Sequence, residues 1–339
     1  MQKITVKSIF LNLLQLMFIM LFVGIFSQIF GSNNSLTWVC ILIGTMMYWY
    51  MDIGIDKRQA PFIIVLMFLL TGISNRIALI NPILGFVINF ITIFLIMYIP
   101  SAKPEYKAYI PFILCYIFDQ SNQAIGNDFA TRMASLFIGG IMVAVIYYFK
   151  HRKSEENYNT IQYALKHINI TSNRFIIAIK MAIGVSIAML IGTLFGLKRT
   201  MWISMSVMSL TQIDFEHTQK RFISRIISTV IGSFAFALLF QVLIPAKYDV
   251  LVTIILNYIY TFIKDYKYQV IFITVNSISS ASALFDTSTA IELRIMLIIF
   301  GCVLGYVINR INFRKYLVLL KRNLKSKERL KIGKLNYSH

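Results

Sequence analysis

The sequence predicts an all-α protein, a polytopic transmembrane helical bundle of about 12 spans built as two parallel six-helix repeats. Three observations predict it. The 339-residue chain is 58% hydrophobic and only 14% charged, whereas a soluble domain is about one-quarter charged. Long apolar runs with almost no charge recur along it, which reads as membrane-spanning helix. Two ungapped segments, Arg132-MASLFI-Gly139 and Arg294-IMLIIF-Gly301, share one spacing, and each runs on into a basic stretch. Backbone polar groups find no water inside a bilayer, so only helices or closed barrels cross it. These runs are apolar on every face, unlike alternating barrel strands.

In chain order the apolar spans read 8–30, 36–51, 61–75, 82–99, 108–118 and 134–149, then 175–196, 201–213, 222–244, 249–263, 268–285 and 294–309. The first follows Lys3 and Lys7 and is too long for a signal-peptide core, so it is kept as a span. The second, third, fifth, eighth and tenth are shorter than the ~20 residues of a full crossing. The domains are a first transmembrane repeat (1–152), a cytoplasmic linker (153–173), a second transmembrane repeat (174–310) and a basic cytoplasmic tail (311–339). In the linker, Ile161, Ala164, Leu165 and Ile168 form one helical stripe, with Ser154, Glu155 and Glu156 as its start signal. The tail repeats leucine (Leu317, Leu320, Leu324) at helical spacing, which suits a helix lying on anionic lipid.

Charge supports this order. The net charge is +19, which in a soluble protein points to nucleic acid. Here, with both termini in the cytoplasm, the outer loops hold only Arg76, Arg132, Lys198, Arg199, Lys247 and Arg294. Lys180 and Arg225 fall within spans, and every other lysine and arginine lies inside, the positive-inside asymmetry. Nucleic acid is therefore not an expected partner.

The same sequence excludes several function classes. It has no nucleotide-binding loop, no nucleophile elbow and no paired carboxylates on one helix, so neither an enzyme nor a catalytic residue is expected. Cys40, Cys115 and Cys302 sit in apolar runs, and the histidines are in loops or at the terminus. Neither metal nor cofactor is expected.

The most informative stretch is Trp202 to Gly232. A tryptophan opens a span, and a polar loop follows with Asp214, Glu216, His217, Lys220 and Arg221. Then comes Arg225-x3-Thr229-x2-Gly232. This pattern resembles the fusaric-acid-resistance-like family, also called the aromatic acid exporter group, and the likeness extends over the duplicated halves. The chain departs from the family pattern at Gln212-Ile213-Asp214 and at Ser228-Thr229. Its first half keeps Trp38 without the following Arg-x3-Thr-x2-Gly. The resemblance implies a bacterial inner-membrane protein, related in its membrane part to plant malate channels, that exports aromatic or amphiphilic organic acids.

The candidate substrate-binding residues are Arg225, Arg221, Asp214, Thr229, Arg132 and Arg294, and the structural motif residues are Trp202, Gly232, Trp38 and Gly301. Alternatives stand beside each. Arg225 either pairs with Asp214 or Glu216 at the cytoplasmic face or attracts an anion in a cavity between the halves. Arg132 and Arg294, placed at the opposite face, either form an outer counterpart or pair with Asp128, Asp286 or Glu292. Thr229, Gly232, Gly192, Gly196, Gly301 and Gly305 suit close helix packing. Trp38 and Trp202 suit interfacial anchors more than ligand stackers. Lys180 suits a snorkelling side chain, and Asp119 an interfacial group or a proton-coupling carboxylate. The expected activity is proton-driven export of aromatic or amphiphilic organic anions. An anion channel and a non-transporting scaffold are the alternatives. Compatible partners are the bilayer, a small organic anion, further copies of the chain and a periplasmic adaptor.

Overall fold

The computed structural model describes residues 5–100, 104–153, 158, 160–282 and 286–319. Among these residues the protein is all-helical, with no strand. The first six helices are α1 (Val6–Phe30), α2 (Ser35–Tyr48), α3 (Ala60–Ala78), α4 (Pro82–Tyr98), α5 (Ile110–Ser121) and α6 (Asn127–His151). A short linker helix, α7 (Ile161–Lys166), follows. The last six are α8 (Asn173–Leu194), α9 (Met201–Leu210), α10 (Phe215–Ala237, extended by a π-turn over Leu238–Leu243), α11 (Asp249–Tyr260), α12 (Tyr266–Ser282) and α13 (Thr287–Arg310). Six of these, α1, α3, α6, α8, α10 and α13, are long and apolar enough to cross a membrane. By length and composition these six are candidate crossings, which suits a multi-pass membrane protein, while α4, α5, α9 and α11 are apolar but shorter. At ~1.5 Å rise per residue the ten residues of α9 cover roughly 15 Å, half of a ~30 Å hydrocarbon core.

Helices pack where small residues allow it. In the first six, α6 packs on α2 and α3, and α1 packs on α2. In the last six, α13 packs on α9 and α10, and α8 packs on α9. Between the two sets, α4 runs along α8 and α5 touches α9. One apolar core runs through both, from Trp38, Phe68 and Phe112 to Val185, Ile203 and Ile298. Gly301 shows why the α9–α13 seam needs glycine. A Cβ there would stand 2.6 Å from the Ile203 carbonyl oxygen and 2.8 Å from the Ser206 Cβ. Gly305 sits over Val207 and Leu210 of the same short helix. Gly192 packs against Thr200, but Gly196 has φ +56 and open space around it. It serves a turn that an L side chain rarely adopts, not the packing expected of it.

Several boundaries move relative to the apolar runs, because helices continue past the point where hydrophobicity ends. α10 begins at Phe215, so the expected polar loop of 214–221 is mostly its first two turns, stapled by Glu216–Lys220 at 2.7 Å. α6 and α13 begin at Asn127 and Thr287, a turn or more before Arg132 and Arg294. Both arginines are therefore inside helices. Asp286 does not pair with Arg294. It caps α13 instead, accepting from Thr289 N at 3.0 Å and from the Ser288 and Thr289 hydroxyls at 2.6 and 2.9 Å. Lys180 does not snorkel. It is buried, and its Nζ donates to the Asn309 carbonyl at 3.2 Å, near the end of α13. The linker helix is capped by Thr160, whose Oγ1 accepts from Tyr163 N at 3.3 Å. Ser154, Glu155, Glu156, Leu320 and Leu324 lie outside the described residues.

Two outcomes are expected from this packing. Gly301→Val should destabilise the protein by about 1–3 kcal/mol through overpacking, read as a lowered melting temperature in detergent. Gly24→Ala, with nothing within 4 Å of a new Cβ, should leave it unchanged. The hydrogen bonds from Ser288 and Thr289 hold the Asp286 carboxyl down at about 2, below its ordinary 3.8. A depressed folded-state value stabilises above the unfolded one and ceases to do so as pH falls through the folded one. The α13 cap should therefore hold at pH 4 and fail near pH 2, and a carboxyl-carbon NMR titration of Asp286 should show it.

Candidate functional site: an arginine-lined cavity between the helix sets

Charged side chains in the interior of a membrane protein are costly, so each one must be accounted for. Arg132 and Arg294 occupy matched sequence positions but different environments. Arg132 is satisfied throughout. Its Nε donates to Asn34 Oδ1 at 3.0 Å, Nη2 to the Asn33 carbonyl at 2.8 Å, and Nη1 to the carbonyls of Asp119 (3.2 Å) and Asn122. It also forms a buried ion pair with Asp119 at 3.9 Å. Asp119 in turn accepts from Thr37 Oγ1 at 2.7 Å. Asp119 is thus a buried structural partner, not an interfacial group, and Arg132 pairs with it and not with Asp128. Arg132 ties α6 to the α1–α2 turn and to α5.

Arg294 has none of this. It is 3% exposed, its Nε has no hydrogen-bond partner, and its guanidinium lies 4.8 Å from the Trp202 ring. It faces a cavity of about 370 Å3, lined also by Arg225 and Arg199. Among the described residues no carboxylate pairs with any of the three. Arg225 and Arg294 therefore share one cavity, where opposite faces were expected. Leu36 of α2 and Phe118 of α5 close it from the first helix set, and Trp202, Asn257, Tyr260 and Asn276 from the second.

Arg225 is held from α9 and α12. Its Nε donates to Ser206 Oγ at 3.2 Å, and Nη1 to the Tyr266 hydroxyl at 3.2 Å. Ser206 spends its own proton on the Trp202 carbonyl at 2.8 Å, so its lone pairs are free to accept. Tyr266 donates to Ser209 Oγ at 3.3 Å. The serine spacing of α9 (Ser206, Ser209) thus serves one guanidinium in an apolar helix. Arg225 meets neither Asp214 nor Glu216. Asp214 is exposed at the start of α10 and does not line the cavity.

Arg221 lies one turn before Arg225 and stacks on the Tyr266 ring at 4.6 Å, with Nη1 donating to the Ser209 carbonyl at 3.2 Å. Tyr266 therefore separates the two, with Arg221 on its face and Arg225 at its hydroxyl. Burial, with Arg221 adding to it, holds the neighbouring Lys107 ammonium below its usual range. At the other end, Arg199 has φ +62, a strained backbone for a non-glycine residue. Its Nη2 donates to the Ser280 carbonyl at 3.3 Å, and it lines a second cavity of about 290 Å3 with Gln120, Gln123 and Lys198. Arg225, Arg294 and Arg199 thus line one cavity, with Arg221 beyond the Tyr266 ring.

The remaining motif residues are packing groups. A Cβ on Gly232 would stand 2.8 Å from the Ile271 carbonyl oxygen, so this position brings α10 against α12. Thr229 is buried beside it, outside the cavity lining. Neither tryptophan is an interfacial anchor. Trp38 is fully buried under Phe26 at 4.0 Å, while Trp202 floors Arg294. The cysteines are buried and free, and no cluster with metal-ligand character occurs among the described residues. Sequence reading missed Arg199, Tyr266, Asn257 and Tyr260. Arg199 was visible only as an outer-loop charge, and the other three carry no spacing signal.

Residues 187–308 match the family model described as fusaric acid resistance protein-like. Arg199, Trp202, Arg225, Tyr266 and Arg294 all fall inside the matched stretch. No match is found among curated proteins or among solved structures.

The two matched arginines should separate on truncation. Arg132→Ala leaves Asp119 buried without its partner, and should cost about 3–5 kcal/mol. Arg294→Ala removes an uncompensated charge and should leave the melting temperature equal or higher. Thermal unfolding of the two variants side by side reads the difference.

Proposed function

We propose that the protein is a transporter that exports aromatic or amphiphilic organic anions across the bacterial inner membrane. The observation that carries this reading is the cavity with Arg225, Arg294 and Arg199 and no carboxylate. Like charges facing one low-dielectric space repel, and a carboxylate entering it would relieve that repulsion through charge-assisted, bidentate hydrogen bonds. Arg294 offers an Nε with no partner. The other walls, Trp202, Phe118, Tyr260 and Met205, suit an aryl or alkyl body. The match to the fusaric acid resistance protein-like model and the multi-pass helical fold fit the same reading.

Helix pairing supports the two-repeat organisation proposed with it. α6 on α2 and α3 corresponds to α13 on α9 and α10, and α1 on α2 to α8 on α9. In such a duplicated bundle the pathway runs between the halves. Tyr266, clamped between Arg221 and Arg225, supports a carrier closed at that end over an open channel, because the anion passes from one guanidinium to the next only if the ring moves. The distribution of lysines and arginines among the loops supports an Arg221 end on the cytoplasmic side.

The test is export of labelled benzoate from cells expressing equal amounts of each variant. A lost charge-assisted contact is worth about 1.5–3 kcal/mol, so Arg225→Ala and Arg294→Ala should each lower export about tenfold or more. Asp214→Asn should leave it unaltered. Export unchanged in both arginine variants would sink the assignment.

A further inference from the structure

The arginine cavity adjoins a larger groove on the side of α11. Asn257 and Tyr260 line it, and the same two residues line a larger groove of about 930 Å3 between α1 and α11. At their boundary Asn257 accepts from Asn276 Nδ2 at 2.7 Å and donates to the Thr253 carbonyl at 3.0 Å. Beyond that amide pair the wall turns apolar, with Leu16, Ile19 and Met20 of α1 and Ile254 of α11. Two adjoining spaces thus present a cationic end and an apolar end, with the side chains of Asn257 and Tyr260 at their boundary. At the far end of α11 stands the Asp249 carboxylate, also part of the groove wall. It lies eight residues from Asn257, roughly 12 Å along the helix axis.

The helices around the groove are weakly held. α1 buries only Leu16, and α11 buries no residue. Among the described residues one hydrogen bond joins them, Tyr258 hydroxyl to the Ile9 carbonyl at 3.0 Å. The corresponding pair across the other side of the bundle, α4 and α8, packs closely along its length. The loose pair is the one beside the arginines.

We propose that this groove holds the apolar tail of a single-chain amphiphilic anion whose head sits at Arg225 and Arg294. The proposal rests on the anion-binding reading above and extends it to membrane-resident substrates. Charge fixes the direction, since arginines receive the head at one end and Asp249 repels it at the other. A tail entering from the bilayer exchanges one apolar medium for another, so the head and the groove width select the ligand. The substrate then enters sideways between α1 and α11, without first dissolving in water.

The test uses the full chain in nanodiscs with two radiolabelled probes, palmitate and benzoate. Thr253→Trp and Ile254→Trp fill the groove and leave the arginines in place. Palmitate binding should fall about tenfold or more, while benzoate binding stays within about twofold, because a blocked groove removes only the tail's contacts. Equal loss of both probes, or no loss of palmitate, overturns the proposal. Wild-type protein that binds benzoate but not palmitate overturns the tail site alone, and protein that binds neither overturns the anion site with it. A changed oligomeric mass in the tryptophan variants with palmitate binding intact makes the groove a subunit interface and also overturns it. Unmodified protein gives an independent reading, through a palmitate analogue carrying a diazirine at its terminal carbon. Labelling within 15–20 or 250–254 is expected, and labelling only elsewhere contradicts the proposal.

Discussion

Two guanidinium groups, Arg225 and Arg294, line one cavity in a helical membrane protein, and among the described residues no acid neutralises them. The organisation of the last six helices follows from that constraint. A buried cation survives only if its donors are met and its charge is spread. Arg225 meets this through Ser206 and Tyr266, and Arg294 spreads part of its charge over Trp202. What stays unmet is the Arg294 Nε. Arg132 gives the internal contrast. The same spacing in the first helix set carries an arginine locked by four acceptors and Asp119, and it holds helices together. The matched pair thus divides into a hydrogen-bonded, ion-paired member and one with an unmet donor.

The short helix α9 makes the open site feasible. It is the serine-bearing wall that reaches Arg225, and it presents Trp202 to Arg294. It can come this close because α13 offers Gly301 and Gly305 to it. In a bilayer small residues give what hydrophobicity does not, close backbone approach and good packing. The Arg-x3-Thr-x2-Gly segment works by the same logic on α10. Its arginine serves the cavity, while Gly232 brings α10 against α12, from which Tyr266 reaches back to Arg225.

Much of the fold was legible from the sequence for a plain reason. Charge is so costly in the hydrocarbon core that apolar runs mark helices directly. All twelve apolar runs fall on helices, although only six of those helices are long and apolar enough to cross a membrane. Helix starts were less legible, because α6, α10 and α13 begin in polar sequence, where hydropathy is silent. Of the cavity lining, Arg225 and Arg294 were both singled out but placed apart, where the structure brings them to one space. Their meeting depends on how deep each helix sits, which spacing along the chain does not encode. Asp214 was chosen for its charge and proximity in sequence, yet α10 carries it outward. Tyr266, Asn257 and Tyr260 carry no pattern, and only the packing of α11 and α12 brings them to the arginines.

The most direct measurement of the central claim is a structure of the protein with an iodinated benzoate, located by the iodine. The carboxylate should lie about 2.7–2.9 Å from donors of both Arg225 and Arg294, with the ring against Trp202 or Phe118. Iodine found only outside this cavity, with Arg294 paired instead to a protein carboxylate, would contradict the account.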